Sequence, residues 1–374
     1  MSNPRFLQIH TLHSYSAALI NRDDSGLSKR LPYGGVMRTR ISSQCLKRHW
    51  RIADDPHALI RIDGATGDFR SRELVTIKVI DPLRERFDEK NIALLESALQ
   101  KAVYGDKGDS KKSRQTLLLG EPELRWLADQ AEILATEHRE TEDLKAAIKE
   151  WEKSFRQNIK TMRENTMLPN GLSSALFGRM VTSDPSANID APVHVAHAFT
   201  VHEEETESDY FTAVDDLKPD DSDSGADTIQ ESELTSGLYY GYVVVDIEAL
   251  VKNCRGDRAL SGKILHNLVY LIAEVSPGAK LGSTAPYGRA DFMLLESGDR
   301  QPRSLAAAFR EPVKPLLSDA LSAMERHTQR LDELYATGES RVYLSFLDKP
   351  FATANFGNLE TLAGWAAKTT GGEV

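Results

Sequence analysis

"SGLYYGYVVVDIEALVKNCRGDRALSGKILHNLVYLIAEVSPGAKLGSTAPYGRADFMLLES", Ser236 to Ser297, decides the fold. Its first part, "SGLYYGYVVVDIEAL", is dense in Tyr, Val and Ile, the composition of a buried strand. "GKILHNLVYLIAEVS" then spaces its apolar residues three and four apart, as a helix does. The glycines and prolines of "PGAKLGSTAPYGRA" make a loop, and "ADFMLLES" is a second strand. Toward the N-terminus, "APVHVAHAFTVH" reads as another strand. Near the start, "RFLQIHTLHSY" is a strand, "SGLSKRLPYGG" a loop, "VMRTRIS" a short strand, and "SSQCLKRHWRIA" a helix with serine as N-cap. Strand, helix, strand followed by strand, helix, strand is the order of a ferredoxin-like domain. Between Pro82 and Asn165 the pattern is helical, in "DPLRERFDEKNIALLESALQKAVYG" and again from "GEPELRW" to "KTMRE", with "GDKGDSKKSRQ" as the loop between. Strand-like segments flank this block on both sides, so it reads as an insertion. The expected fold class is α/β (α+β): a ferredoxin-like sheet interrupted by helices.

At 374 residues and 40% hydrophobic, the chain is long enough for one elaborated domain or two. The N-terminus lacks a basic and an apolar region of signal type, and no window reaches the roughly 18 apolar residues of a membrane span. The expectation is a cytoplasmic protein with no membrane partner. Cys45 and Cys254 match no metal or disulfide spacing. A net charge of -10 argues against binding duplex DNA through global charge. Its distribution is uneven, however. From Arg22 to Arg51 eight basic residues face only Asp23 and Asp24, whereas from His202 to Glu233 thirteen acidic residues meet one lysine. Such polarisation can hold phosphate at one place and repel it at another.

In "RTRISSQCLKR" an arginine-bearing strand leads into a helix whose first turns carry Lys47, Arg48 and Arg51. Cations there oppose the helix dipole, and a bound phosphate would remove the conflict. Ser42, Ser43 and Gln44 add neutral donors of the kind that position a phosphate backbone. A solvated helix face with ion pairs accounts for the same residues equally well. The "NRDD" carboxylates, Asp23 and Asp24, could hold Mg2+ for phosphodiester hydrolysis, but no third ligand is in view. In "HVAHAFTVH", a strand would point His194 and His197 to opposite faces, which speaks for structural histidines over a zinc site. The tract from Glu203 to Glu233 reads as solvated loop at its ends. Its middle, "DYFTAV", is more apolar than solvation requires.

The succession "INRDDSGLSKRLPYGGVMRTRISSQCLKRHWR", "LFGRMVTSD", "HVAHAFTVHEEETESDYFTAVDDL" and "EVSPGAKLGSTAPYGRADFMLLE" closely resembles the CasC-type backbone subunit of the type I-E CRISPR Cascade complex, a branch of the Cas-seven superfamily. The resemblance implies a modified ferredoxin-like or RNA-recognition-motif palm with inserted helical fingers and a β-hairpin-like thumb. The palm would span 1–58, 182–200 and 236–374, the fingers 59–181 and the thumb 201–235. It implies a non-catalytic protein without cofactor or metal that polymerises head to tail along a CRISPR guide RNA. Target DNA would pair with the guide, and other Cascade subunits (large, small, guide-end-capping and guide-processing) would complete the complex. By position, Arg22, Lys29, Ser42, Gln44, Lys47 and Arg51 match contacts to guide phosphates and sugars. Met180 matches a methionine wedged beside a kink in the guide, and Tyr210, Phe211, Thr212 and Val214 match the thumb tip. The acidic thumb flanks, Glu203, Glu204 and Glu205, would then meet the basic palm of a neighbouring copy. The rival reading is a metal-dependent target-RNA endoribonuclease like the type III relatives, using Asp23 or Asp24. A general single-strand RNA-binding protein is a third.

Overall fold

The computed structural model describes residues 3–106, 108, 110–112, 114–213, 228–348, 351 and 354–372. In chain order the elements are β1 (Phe6–Ala18), β2 (Arg30–Tyr33), β3 (Val36–Ile41), α1 (Ser43–Arg51), β4 (Asp68–Ser71), α2 (Glu89–Tyr104), β5 (Leu117–Gly120), α3 (Glu121–Glu137), α4 (Thr141–Asn165) and α5 (Leu172–Phe177). They continue with β6 (Val193–Val195), β7 (Ala198–Thr200), β8 (Glu205–Ala213), β9 (Thr228–Asp246), α6 (Ile247–Asn253), α7 (Arg258–Glu274), α8 (Leu281–Thr284), β10 (Ala290–Gly298), α9 (Leu317–Tyr335), β11 (Ser340–Ser345), β12 (Asn355–Phe356) and α10 (Leu359–Lys368). Two compact units result: 1–58 with 194–247 and 262–374, and 59–193 with 248–261. Among the described residues no helix is long and apolar enough to cross a membrane.

The first unit is built on a sheet ordered β12-β11-β10-β1-β9-β7-β3-β2, with β8 paired to β9. Its centre, β10-β1-β9-β7, joins by antiparallel pairing, and the chain visits it as β1, α1, β7, β9, α7, β10. This is the ferredoxin-like arrangement that the sequence order implied. Alternation along the strands sends residues to two faces. Ile9, Thr11 and Tyr15 of β1 lie with Tyr239 and Val243 of β9 beside Leu46 and Trp50 of α1 and Ile272 of α7. On the opposite face Leu12, Phe199, Leu238, Tyr240, Phe292 and Leu294 pack against Leu305, Phe309 and the α9 residues Ala320, Leu321 and Met324. Each large side chain fully buried there contributes about 1.5–3 kcal/mol. In free-standing RNA-recognition domains an open sheet face presents aromatic rings that stack bases. Here Tyr240, Phe292 and Phe309 are buried, so these rings serve the core.

The second unit has its own apolar core, formed by α2, α3, α4 and the segment Val75–Ile80 with Leu117 and Leu119 of β5. One buried cluster of charges within it is paired. Glu123 accepts from Arg179 Nη1 at 2.5 Å and from Arg163 Nε at 2.7 Å, and Arg163 Nη1 reaches Asp184 at 2.8 Å. Burying any one of these alone would cost several kcal/mol, so they stand or fall together.

Several expectations are corrected. The "SGLSKRLPYGG" loop contains β2, an outermost strand where Pro32 withholds no needed ladder donor. Gly34 and Gly35 turn the β2–β3 hairpin at φ +66° and +84°, and a Cβ on Gly34 would overlap the Arg310 carbonyl oxygen. Helix does not begin at Pro82: Asp81–Leu83 is one 3-10 turn, and α2 starts after Asp88, whose carboxylate accepts Lys90 N–H at 2.9 Å. The long helical run from Gly120 is two helices, α3 and α4, separated at 138–140. β5 interrupts the same block between its helices and pairs with β4, which precedes the block. The acidic tract flanks are also not loop, because Glu205–Ala213 pairs residue by residue with Thr228–Ser236.

Candidate nucleic-acid interface

The basic stretch folds into three contiguous pieces: a loop at 21–29, the β2–β3 hairpin, and α1. Asn21 joins the first piece to the last. Its side-chain oxygen accepts Ser42 N–H at 2.9 Å and its carbonyl accepts Lys29 N–H at 2.8 Å, while Arg40 N–H bonds the Lys29 carbonyl at 2.8 Å. Ser42 is buried and caps α1, its hydroxyl accepting Cys45 N–H at 3.3 Å. Gln44 is exposed and accepts the Ser43 hydroxyl at 3.3 Å. Lys47 and Arg51, both half-buried, lie one turn apart on α1, and Arg22 is exposed at a bridge to Ser28.

The two arginines of β3 take different roles. Arg38 is fully buried and donates to three carbonyls: Tyr33 at 3.2 Å, Thr200 at 3.1 Å and Phe309 at 2.9 Å. It ties the β2–β3 hairpin to β7 and to the turn Ala306–Phe309, and burial pushes its pKa down. Arg40 stays at the surface side, donating to the Arg30 carbonyl and to His197 Nδ1, each at 3.2 Å. Ser43 N–H also points to His197 Nδ1 at 3.2 Å. Burial, then the charges of Arg40, Lys29 and Lys47, hold the His197 pKa below its ordinary value. Lys29 and Arg48 also oppose the burial that raises the Cys45 thiol. These effects locate one patch of positive potential at the start of α1, with neutral donors among the cations. Its chemistry suits a polyanion's phosphates.

The loop is fastened to the root of the β8–β9 hairpin. Arg30 donates to Glu204 at 2.5 Å and to Glu233 at 2.8 Å, and Ser28 N–H reaches Glu233 at 3.3 Å. Thr235 donates to the Ala18 carbonyl at 3.0 Å and Ala17 N–H to Ser236 at 3.0 Å. Glu204, expected to meet a neighbouring copy, is thus engaged within its own chain. Tyr210 projects 62% exposed from β8, opposite Glu231. The backbones of Phe211 and Thr212 pair with Gln230 and Ile229, while Val214 lies outside the described residues. On the second unit, Met180 is 67% exposed immediately after Arg179, which Glu123 and Asn170 fix in place.

The Asp23 carboxylate accepts Ser25 N–H at 2.9 Å and Leu27 N–H at 3.1 Å, folding its own turn, and Asp24 is exposed beside it. Among the described residues no three His, Cys, Asp or Glu side chains converge as a metal ion would require. His202 is structural: Nδ1 donates to the Glu203 carbonyl at 2.6 Å and Nε2 accepts Leu238 N–H at 3.1 Å. Sequence reasoning missed Arg40 and His197 as partners of the basic cluster. Only the alternation in "RTRIS" hinted at Arg40, and nothing local placed residue 197 beside residue 43.

Fold and site define an α/β protein with a ferredoxin-like sheet, a helical unit inserted into it, and a cationic cluster where β3 meets α1. The chain belongs to the CT1975-like protein family, whose model matches residues 7–365. A solved chain titled "CRISPR RNA-guided surveillance complex, pre-nicking" superposes with a TM-score of 0.79 at 26% identity, covering 96% of this chain and 100% of that one. Another, titled "CRISPR RNA-guided surveillance complex", has a TM-score of 0.59 at 21% identity over 96% of this chain and 99% of that one, a likeness of fold. A comparison with curated proteins gave no match.

Proposed function

We propose that this chain is a guide-RNA-binding backbone subunit of a CRISPR surveillance complex of the type I-E kind. It is non-catalytic, lines up head to tail with copies of itself on the guide, and presents the guide to target DNA, with further Cascade subunits as companions in the cytoplasm. The first unit acts as palm and the second as fingers, while the β8–β9 hairpin is the thumb. The observation that carries the proposal is the cationic cluster of Lys29, Arg40 and Lys47 around His197 at the start of α1, on a unit whose central-sheet rings Phe199, Tyr240 and Phe292 are buried. Such a surface grips backbone and ignores sequence, as a guide of arbitrary spacer demands. Lys47 and Arg51 contribute to the grip from α1, Met180 wedges between bases, and Tyr210 marks the thumb side. The endoribonuclease reading finds Asp23 engaged in its own turn.

The test is co-purification of the chain with its neighbouring gene products, followed by sequencing of bound RNA, for wild type and Lys47→Glu/Arg51→Glu. Wild type should carry guide-length CRISPR RNA and the charge-reversed variant should lose it. Full retention by a folded variant would remove α1 from the interface.

A further inference from the structure

His197 receives two donors that can only donate, a backbone N–H from Ser43 and a guanidinium N–H from Arg40, both at 3.2 Å and both directed at Nδ1. Nδ1 is therefore the lone-pair side of the ring, and the ring proton sits on Nε2. The residue is exposed, and Nε2 has no hydrogen-bond partner among the described residues. The ring is thus clamped on one side and presents an oriented neutral donor on the other. Around it stand Arg40 from β3, Lys47 from α1 and Lys29 from the preceding loop, all cationic. An acceptor drawn into that field is an anion, and the donor is already aimed when it arrives.

We propose that His197 is a further guide-positioning residue, donating Nε2–H to a non-bridging phosphate oxygen of the guide. The inference rests on the guide-binding reading above. The clamp gives the donor its value, since a preset donor loses little orientational freedom on binding. It also sets a limit. Protonation of Nδ1 would cost both inner bonds and place a fourth positive charge among three.

Two isosteric variants separate bracket from donor. Asparagine sets its amide oxygen near the place of Nδ1, so His197→Asn keeps the acceptor for Ser43 and Arg40 and loses the outer N–H. Glutamine sets its amide nitrogen near the place of Nε2, so His197→Gln keeps the outer donor and loses the inner acceptor. The full chain is titrated against a fluorescein-labelled single-stranded RNA by anisotropy, and its thermal midpoint is measured in parallel. His197→Asn should melt close to wild type and bind about tenfold more weakly, the size of a hydrogen bond to a charged acceptor. His197→Gln should melt lower and bind within about twofold of wild type. The reverse pattern, with Asn binding fully and Gln losing affinity only as it loses stability, overturns the proposal and leaves His197 a structural bracket. Repeating the titration with the 2′-deoxy strand identifies the acceptor. The Asn deficit persists if it is phosphate, and its disappearance would assign the donor to ribose and refute the phosphate contact. If wild type binds neither RNA nor DNA, the guide-binding reading itself falls. If wild type binds and His197→Asn is indistinguishable from it, only this inference falls.

Discussion

Arg38 offers the sharpest separation between structural and binding roles in the basic stretch. Its neighbour two positions on, Arg40, is the surface cation, whereas Arg38 is entirely enclosed and spends its donors on three carbonyls from three segments. In Arg38→Ala those carbonyls lose their donor, at about 1 kcal/mol or more each. The vacated stem leaves space in the core, adding about 1–2 kcal/mol. Removing a desolvated charge returns part of this. The net loss is about 3–5 kcal/mol, and at about 2–4 °C per kcal/mol for a unit of this size the melting midpoint drops by roughly 10 °C. Arg38→Lys should recover less than half, because a compact ammonium does not span three carbonyls as a planar fork does. Urea and thermal unfolding of the full chain measure the stability, and RNA anisotropy below the new midpoint measures the grip. Binding there should remain near wild type. An Arg38→Ala protein that melts within about 1 °C of wild type yet fails to bind RNA would show that the guanidinium faces ligand and that the clamp argument is wrong.

Arg30→Ala frees Glu204 and the nearly buried Glu233 and should cost about 1–3 kcal/mol, seen as faster amide exchange across 205–213 and 228–236; unchanged protection there would mean the hairpin root does not depend on the pair. Lys29→Ala and Lys47→Ala should each lower the slope of log affinity against log salt by about 0.7, as the loss of one single-strand phosphate contact does, and an unaltered slope would place that lysine off the RNA. Burial holds the pKa of His10, His13, His197 and His202 below the ordinary histidine value. As pH falls through about 6.5 the unfolded chain takes up these protons first. It then binds more protons than the folded one, so stability is full above that pH and declines below it. The urea midpoint should be level from about pH 8 to about pH 7 and fall toward about pH 5.5, and a flat profile across that range would contradict it. Met180→Ala should leave the melting midpoint within about 1 °C of wild type, because the side chain is mostly exposed, and a larger drop would mark it as core.

The central topology was legible because each of its strands is apolar and each helix is amphipathic, so the order strand, helix, strand could be counted along the chain. Edge elements were not. β2 hides among glycine, proline and serine because an outermost strand may carry a proline, and "LLLG" of β5 is too short to separate from a helix end. The same limit governs the site. Lys47 and Arg51 could be read from helical spacing, and Ser42 as a cap from its place before the helix. The burial of Arg38 depends on carbonyls at 200 and 309, and the clamp on His197 depends on a strand more than 150 residues away in sequence. The sequence "VMRTRIS" treats Arg38 and Arg40 alike, and the Thr200 carbonyl and the turn Ala306–Phe309 around one of them make them different.

The covering of the sheet by α9 and the turn at 306–309 has a consequence for heredity. A protein that hydrogen-bonds base edges is tuned to particular letters, and a new message requires a new protein. With Tyr240, Phe292 and Phe309 shut into the interior, those rings meet no base, and the exposed chemistry of the basic stretch is of the kind that suits phosphate, the part common to every letter. Under the function proposed here, a defence system can rewrite its stored sequences at will while the gene for its scaffold stays as it is.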